Sequence, residues 1–559
     1  MAPGESLLSV LREQLGIVSP KDGCAPQGQC GCCTVLVDGQ PRVACVTPAT
    51  RVADRSVTTI EGLEPELRDT LADAFVVTGG SQCGFCTPGI VMRAAGTLAK
   101  GKIDRVELDR ALAAHLCRCT GWQTVYEAIE RAPRVAAPPR RSDAAMQRAQ
   151  LEGGVPQRIG AVIPLGDGGF ADDLAPRDAM VAVPRPPGSA AESVEAGGMH
   201  WVVGSSVSEA RNRAGKVQGR RTTVDAVPPL ALPPCPSGGV RLATSWVEPA
   251  YLEPDASWCE PGGIPASPLA NGGAFGGKAS SPVAAVAREL ADALGRPVRV
   301  LYAREDVVRL GPKRPPIAAT ARYDNGVVSV VGAALTADGV SELAPFVVPI
   351  AWPYRIEELA SWEHRRASGP PTASHLRAVG RAERAVLVEG ALEEARVDRV
   401  GLARDARVAA VLLDTCAPVP SGALAGARVE LSDAGAIDRV LVRVAAGDPL
   451  DEIVLRSYAI GAAHMALGWV LSEGLAVDPE TGEVHDLTVR SFGILRAKDT
   501  PTIEVEVLDD AGPPLERASD AVFAAVAAAT WNALTGDAGT RPEVFPASET
   551  RAAQLLRRR

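Results

Sequence analysis

Four cysteines, Cys24, Cys30, Cys33 and Cys45, stand in a pattern able to hold a redox metal group. Three of them lie on one loop, Gly23-Cys24-Ala25-Pro26-Gln27-Gly28-Gln29-Cys30-Gly31-Cys32-Cys33-Thr34, and Cys45 follows beyond a short connection. Three thiolates on a glycine-bearing loop, with a fourth returning to it, suit a 2Fe-2S cluster, because glycine lets the backbone wrap close to the sulfides. Structural zinc is the competing chemistry, although zinc sites usually come as paired knuckles rather than one crowded loop. Cys32, between two ligands, is a spare thiol. A second set follows, Cys83 and Cys86 as CxxC and Cys117 and Cys119 as CxC. A CxxC alone also suits zinc or a redox dithiol; joined to the CxC and to the preceding loop, it reads as a second 2Fe-2S site.

Each set needs elements that bring its halves together. Thr34-Val35-Leu36-Val37, the Asp38-Gly39 turn and Arg42-Val43-Ala44 read as a hairpin that returns Cys45 to its loop. Thr87-Pro88 marks a helix start, with Thr as cap and Pro in the first turn, continuing over 90–100. A second amphipathic helix over 106–116 runs into Cys117, so two helices carry the CxxC to the CxC. The whole chain has 559 residues, 46% of them hydrophobic and 22% charged, with a net charge of -9. That length suggests several domains, and the mild acidity argues against nucleic acid as a partner. The first ten residues do not look like a secretory signal, and clustered cysteines without one point to metal or redox groups rather than disulfides. No apolar stretch reaches the ~18 residues of a membrane span; the nearest candidate is 521–531. The expectation is a cytoplasmic protein with no membrane partner.

The segments Gln82-Cys83-Gly84-Phe85-Cys86-Thr87-Pro88-Gly89 and Leu116-Cys117-Arg118-Cys119-Thr120-Gly121-Trp122 resemble the helical 2Fe-2S domain of the molybdenum hydroxylases, the xanthine dehydrogenase and aldehyde oxidase family. The resemblance runs without a gap from Leu7 to about Arg131. It implies that the second cluster lies next to a pterin, near Gln82 and Cys119, and passes electrons to the first cluster and then to a flavin. There are two departures. Five residues rather than four separate Cys24 from Cys30, and the hairpin that opens the family's β-grasp sheet is missing before Ser6, so either the start lies upstream or the sheet lacks two strands.

Beyond 133–150, a Pro- and Arg-rich linker, the resemblance continues in pieces. Gly169-Phe170-Ala171-Asp172-Asp173, Val247-Glu248-Pro249 and Leu252-Glu253-Pro254 look like parts of the family's molybdenum domain. Asn271-Gly272-Gly273-Ala274-Phe275-Gly276-Gly277-Lys278 looks like its glycine loop, leading into a helix over 283–294. The loop's other readings are a plain tight turn and a phosphate-binding loop; Ala279 stands where the latter needs Ser or Thr for Mg²⁺. His375-Leu376-Arg377-Ala378-Val379-Gly380 is similar to the family's Arg-x-x-Gly loop, and Gly468-Trp469-Val470-Leu471-Ser472-Glu473 matches as well. The resemblance implies a molybdopterin contacted by Gln82, Gly272, Gly273, Phe275, Gly276 and Arg377. Counting back from Asn532-Ala533-Leu534 places Asp520 where the family has its catalytic glutamate, one methylene shorter.

The omissions matter as much. The stretch from Glu253 to Gly273 is too short for the segment bearing the family's active-site glutamine, the long stretch that grips the pterin is missing between Glu394 and Arg428, and no flavin domain is present, so FAD is not expected in this chain. The expected fold class is multidomain α+β. It comprises a β-grasp 2Fe-2S ferredoxin domain over 1–60, a four-helix-type 2Fe-2S domain over 61–132, the linker, and a truncated α/β molybdopterin-binding-like region in two parts, 151–340 and 341–559. Two functions follow. One is electron transfer through two 2Fe-2S clusters as an oxidoreductase subunit, beside a flavin subunit and a full-length molybdenum subunit. The alternative is a self-contained minimal molybdopterin-dependent hydroxylase of aldehydes or N-heterocycles.

Overall fold

Val35, Leu36 and Val37, all buried, give Thr34–Val37 the central place in a three-stranded sheet. Gln40–Val43 and Val57–Thr58 flank it, both antiparallel. The hairpin turns through Asp38 (φ 48°) and Gly39 (φ 71°), the left-handed pair that a two-residue turn between twisted strands demands. In this computed structural model, which describes residues 5–101, 104–132, 142–217, 219, 224–337, 350–373, 376–538 and 540–558, the returning strand delivers Cys45 into a short helical turn, Ala44–Val46.

Four helices follow, Pro65–Thr78, Thr87–Leu98, Arg105–Leu112 and Gln123–Arg131. Pro88 lies in the first turn of the second, although its N-cap is Cys86 rather than Thr87. Asp104 caps the third by accepting the Glu107 N–H at 2.8 Å. That helix stops short of the expected 116 because the chain leaves it to join the first cysteine loop, where Leu116 N–H donates to Cys30 O at 2.9 Å.

The expected linker is only partly one. Residues 133–141 lie outside the described residues, whereas Ser142–Gly153 is a helix. Ala145 and Ala149 pack on Val454, with Tyr458 beside them, and Arg148 pairs with Glu152 at 2.7 Å in a fully buried contact. Its apolar seam is only two alanines wide, too narrow a stripe to read as periodicity.

Three further sheets make up the rest. A five-stranded sheet holds Val194–Ala196, Met199–Gly204, Met180–Pro184, Val298–Leu301 and Ala256–Cys259, in that order. A four-stranded one holds Thr415–Pro418, Leu424–Leu431, Ile437–Ala445 and Thr502–Val507. The third crosses the expected boundary between 340 and 341: Val327–Ala337 pairs in parallel with Glu357–Ala367, and Val544–Phe545 closes its far edge on Gly239–Thr244. The two expected parts are therefore not separate sheets. Nor does the N-terminal region have a core of its own, since one apolar cluster joins Leu7, Val35 and Trp122 to Phe170, Trp246, Leu487 and Phe492.

The sequence reading missed one long apolar element. The helix Glu452–Leu471 has the length and composition of a membrane span, with a mean hydropathy of 1.3, but 83% of that window is buried inside the fold. It packs on Ala518–Ala538 in the largest apolar core and lies flush against the second cysteine group. At Gly461 an added Cβ would sit 1.8 Å from Cys119 O. Gly461→Val should therefore push helix and cysteine loop apart at a cost of about 1–3 kcal/mol. A lowered thermal midpoint, with selective loss of whatever the second cysteine group binds, is the expected result.

Candidate redox-metal centres

The first cysteine loop folds around its own sulfurs. Cys24, Cys30, Cys33 and Cys45 are all buried. Cys24 Sγ accepts the backbone N–H groups of Gln27 at 3.3 Å and Gln29 at 3.5 Å, and Cys33 Sγ accepts that of Cys45 at 3.4 Å. The thiols also bond one another. Hydrogen bonds from Cys30 and Cys45 draw Cys24 well below the usual thiol range, while bonding to Cys24 pushes Cys30 and Cys45 up. The residue that lengthens this loop is absorbed by Ala25 (φ 45°) and Gly28 (φ 70°) in left-handed backbone. Gln27 then reaches outward to Glu305 Oε1 at 3.0 Å and accepts the Val489 N–H at 3.0 Å. Cys32 is buried too and hydrogen-bonded to Cys30.

The second group forms two sulfur pairs. Cys119 Sγ lies 3.4 Å from Cys83 Sγ, and Cys86 bonds Cys117, which that bond draws down to about 6. Among the described residues no three or more His, Cys, Asp or Glu side chains converge as a single metal ion requires. A two-iron, two-sulfide core is wider and takes four thiolates, two to each iron. Both groups fit that need: four sulfurs each, chained by hydrogen bonds in the first and set as two pairs in the second, with backbone N–H groups on the sulfurs of the first.

Arg118 stands between Cys117 and Cys119 and points its guanidinium inward. Both of its terminal nitrogens donate to Glu473, at 2.7 Å each, and Arg377 Nη1 donates to the same carboxylate at 2.5 Å. All three side chains are within 2% of full burial. Arg377 Nη2 is spent on the carbonyls of Glu248 and Pro249, at 3.1 Å each. Beside them His464, whose ring nitrogens have no partner among the described residues, is pushed down to about 3 by burial and is neutral.

The residues expected to contact a pterin are closed on protein. Gln82 Nε2 donates to Cys119 O and Ser457 Oγ, at 3.0 Å each. Asn271 Nδ2 donates to the carbonyls of Gln82 at 3.3 Å and Cys83 at 2.9 Å. Gly273 (φ 76°) lies so close to the second cysteine group that a Cβ there would be 3.0 Å from Cys83 Sγ, and the Gln157 side chain fills the space beside Gly272. Phe275, also left-handed (φ 52°), accepts the Arg377 N–H on its carbonyl at 3.1 Å, with Gly276 following at φ 86°. The cavity beside Gln82, Ser457 and Tyr458 measures about 20 Å³. That is room for about one water, where an organic cofactor needs several hundred Å³. A cavity of about 430 Å³ between Leu116, Arg490, Arg496 and Leu556 touches none of the expected contacts. As packed, these residues do not fit a pterin.

Asp520 bonds none of them, although its partner Arg381 directly follows the Arg377–Gly380 loop. It sits in the first turn of Ala518–Ala538 and pairs with Arg381 at 2.7 Å. His375 lies outside the described residues. Sequence reasoning missed Glu473 as the partner of Arg118, although both residues stood in matched segments. It also missed Asn271 and Ser457 as the partners of Gln82, for which no local pattern gives a signal.

Two domain families match the chain: the [2Fe-2S] binding domain over residues 59–130 and the molybdopterin cofactor-binding domain over residues 266–399. The chain is 42% identical over 132 residues to isoquinoline 1-oxidoreductase subunit alpha of Brevundimonas diminuta, covering 23% of this chain and 86% of that protein. It is 40% identical over 131 residues to the xanthine dehydrogenase iron-sulfur-binding subunit of Escherichia coli O157:H7, covering 23% and 81%. With aldehyde oxidoreductase of Megalodesulfovibrio gigas it shares 46% identity over 131 residues, 22% of this chain but only 14% of that relative's length. Among solved structures, aldehyde oxidoreductase from Desulfovibrio gigas superposes with a TM-score of 0.73 at 16% identity, covering 100% of this chain and 98% of that one, which shows a shared fold.

The buried carboxylate gives a direct test of the second site. Glu473→Gln would leave two buried guanidiniums sharing an uncharged amide, and breaking a buried ion pair typically costs about 3–5 kcal/mol. Chemical denaturation should show a loss of that order. A variant as stable as the parent would mean that the triad does not hold this interface.

Proposed function

This chain belongs to the molybdenum hydroxylase family, that of xanthine dehydrogenase and aldehyde oxidase, and from that premise we propose that it is an oxidoreductase component passing single electrons through two 2Fe-2S clusters. A 2Fe-2S cluster takes up and returns one electron at a time, which lets a two-electron oxidation feed one-electron acceptors. Cys24, Cys30, Cys33 and Cys45 would hold the first, and Cys83, Cys86, Cys117 and Cys119 the second. The observation that carries the reading is the gathering of both sulfur sets, joined by the hydrogen bond from Leu116 N–H to Cys30 O at 2.9 Å. The backbone N–H groups on Cys24 and Cys33 would steady the thiolates. Similarity to separate small iron-sulfur subunits supports partner chains bearing the flavin and a full molybdenum site. Reduced thiols at such short spacing favour the cytoplasm.

The second reading, a self-contained hydroxylase, is favoured by the molybdopterin-domain match over 266–399 and by the fold likeness along the whole chain. Against it stand the closed contacts of Gln82, Gly272, Gly273 and Arg377. Asp520 is engaged in an ion pair with Arg381 at 2.7 Å rather than free to take a proton from a substrate.

Iron near four atoms per purified chain and two distinguishable EPR signals on reduction are expected. Zinc in their place, or a single signal, would overturn the assignment. Cys32→Ser should leave both signals, whereas Cys24→Ser should remove the first.

The chain alone should contain no stoichiometric molybdenum and should not hydroxylate aldehydes or N-heterocycles, while still carrying electrons from a chemical reductant to a dye. Turnover by the isolated chain, abolished in Asp520→Ala, would establish the second reading instead.

A further inference from the structure

Two guanidiniums from the C-terminal region end on the carbonyl groups just before ligands of the first cluster. Arg304 is wholly buried, and its Nε and Nη2 donate to Gly23 O at 3.1 and 2.8 Å, one residue before Cys24. Its remaining bonds go to Tyr251 O at 2.8 Å and Leu252 O at 2.6 Å. Arg490 Nε donates to Gln29 O at 3.1 Å, one residue before Cys30, and its Nη2 donates to Ala113 O at 2.9 Å. Neither arginine pairs with a carboxylate among the described residues. Glu305, which follows Arg304, turns instead to Gln27 Nε2 at 3.0 Å.

An ordinary staple between loops would not need this chemistry. Carbonyl groups can be bridged by neutral donors, and the buried guanidinium of Arg304, without a counter-ion, carries a desolvation penalty that carbonyl dipoles only partly offset. A site that gains negative charge in its working cycle supplies the missing reason. An electron added at the first cysteine loop puts one more negative charge beside two fixed positive ones, and no proton need follow.

We propose that Arg304 and Arg490 are positioning residues that raise the reduction potential of the first cluster, so that electrons arriving at the second are drawn outward. The inference rests on the cluster assignment above. It also gives the region beyond residue 150 a role in electron transfer that does not depend on a bound pterin. Cluster potentials respond to net charge, hydrogen bonding and exposure, and the loop shows all three from this region: two cations against the one carboxylate of Glu305, donors to the backbone, and coverage by Gln27 docking on Val489. The two arginines should differ in one respect. Arg490 is exposed and its effect should fade as salt rises, whereas that of Arg304 should persist.

The test is a redox titration of the full chain followed by EPR, reading both clusters separately in Arg490→Gln, Arg490→Lys, Arg304→Gln and Arg304→Lys. Each Gln variant should favour the oxidised first cluster by about tenfold, a fall of about 59 mV for a one-electron couple, with the second cluster unmoved. Each Lys variant, which keeps the charge, should stay near the parent. If Arg304→Gln does not retain the cluster, the exposed Arg490 pair decides alone. Unchanged potentials in the Gln variants, or equal shifts in Gln and Lys variants, would overturn the proposal. A parent chain lacking the first signal would instead overturn the cluster assignment on which it rests.

Discussion

Arg118 lies between two of the gathered cysteines, so any fold that brings Cys117 and Cys119 to Cys83 and Cys86 also carries a guanidinium inside. That charge needs a partner away from water, and the chain supplies Glu473 from the end of the helix Glu452–Leu471. Arg377 shares the carboxylate, leaving an Arg-Glu-Arg triad with one net positive charge, its surplus spread over the carbonyls of Glu248 and Pro249. Ion pairs of this kind add little stability over an apolar core, but they punish misassembly, because separating them strands buried charge. The long helix that leads to Glu473 also brings Gly461 against Cys119, and Arg377, which shares the carboxylate, donates its backbone N–H to Phe275 O in the glycine loop.

The first cysteine group shows the same dependence by another route. Its loop is one residue longer than the family pattern, and the extra length becomes an anchor: Gln27 and Gln29 both accept backbone N–H groups from Val489 and Arg490. Each sulfur set thus has its geometry fixed partly by residues more than 300 positions away in sequence, Glu473 for one and Arg490 for the other. The region beyond residue 150 completes the setting of both cysteine groups, and the shared apolar cluster from Leu7 to Phe492 is the packing counterpart.

Much of this was legible in the sequence where local chemistry is decisive. The Asp38-Gly39 turn and the Pro88 helix start follow from backbone preferences, and the grouping of the eight cysteines into two sets of four follows from their motifs, though not the distant residues that fix their geometry. Legibility failed where a signal was weak or non-local. Ser142–Gly153 reads as linker because two alanines make too narrow a stripe, and Glu452–Leu471 does not stand out as one long apolar element because Arg456 and His464 interrupt its run. The boundary at 340 dissolved because strand pairing joins Val327–Ala337 to Glu357–Ala367, which no composition shift announces. At the cofactor-like region the motif residues were recognised, but not what they touch. Gln82, Asn271 and Arg377 look the same in sequence whether they face a ligand or one another.

That ambiguity has a physical resolution. A binding crevice that gives up its ligand cannot stay open, since interiors are close-packed and unpaired buried polar groups are costly. Side chains selected to bond a polar cofactor must then find protein partners or be replaced. Here each of them has a protein partner: Gln82 bonds Cys119 O and Ser457, Asn271 the carbonyls of Gln82 and Cys83, and Arg377 Glu473. The glycines of this loop let it lie against Cys83 and Cys119, with Gln157 in the remaining gap. A pterin entering this region would have to break all of those bonds at once. Retained motifs and a closed crevice are therefore compatible, because the same small and polar residues that line a cofactor site are well suited to sealing the wall of an iron-sulfur site.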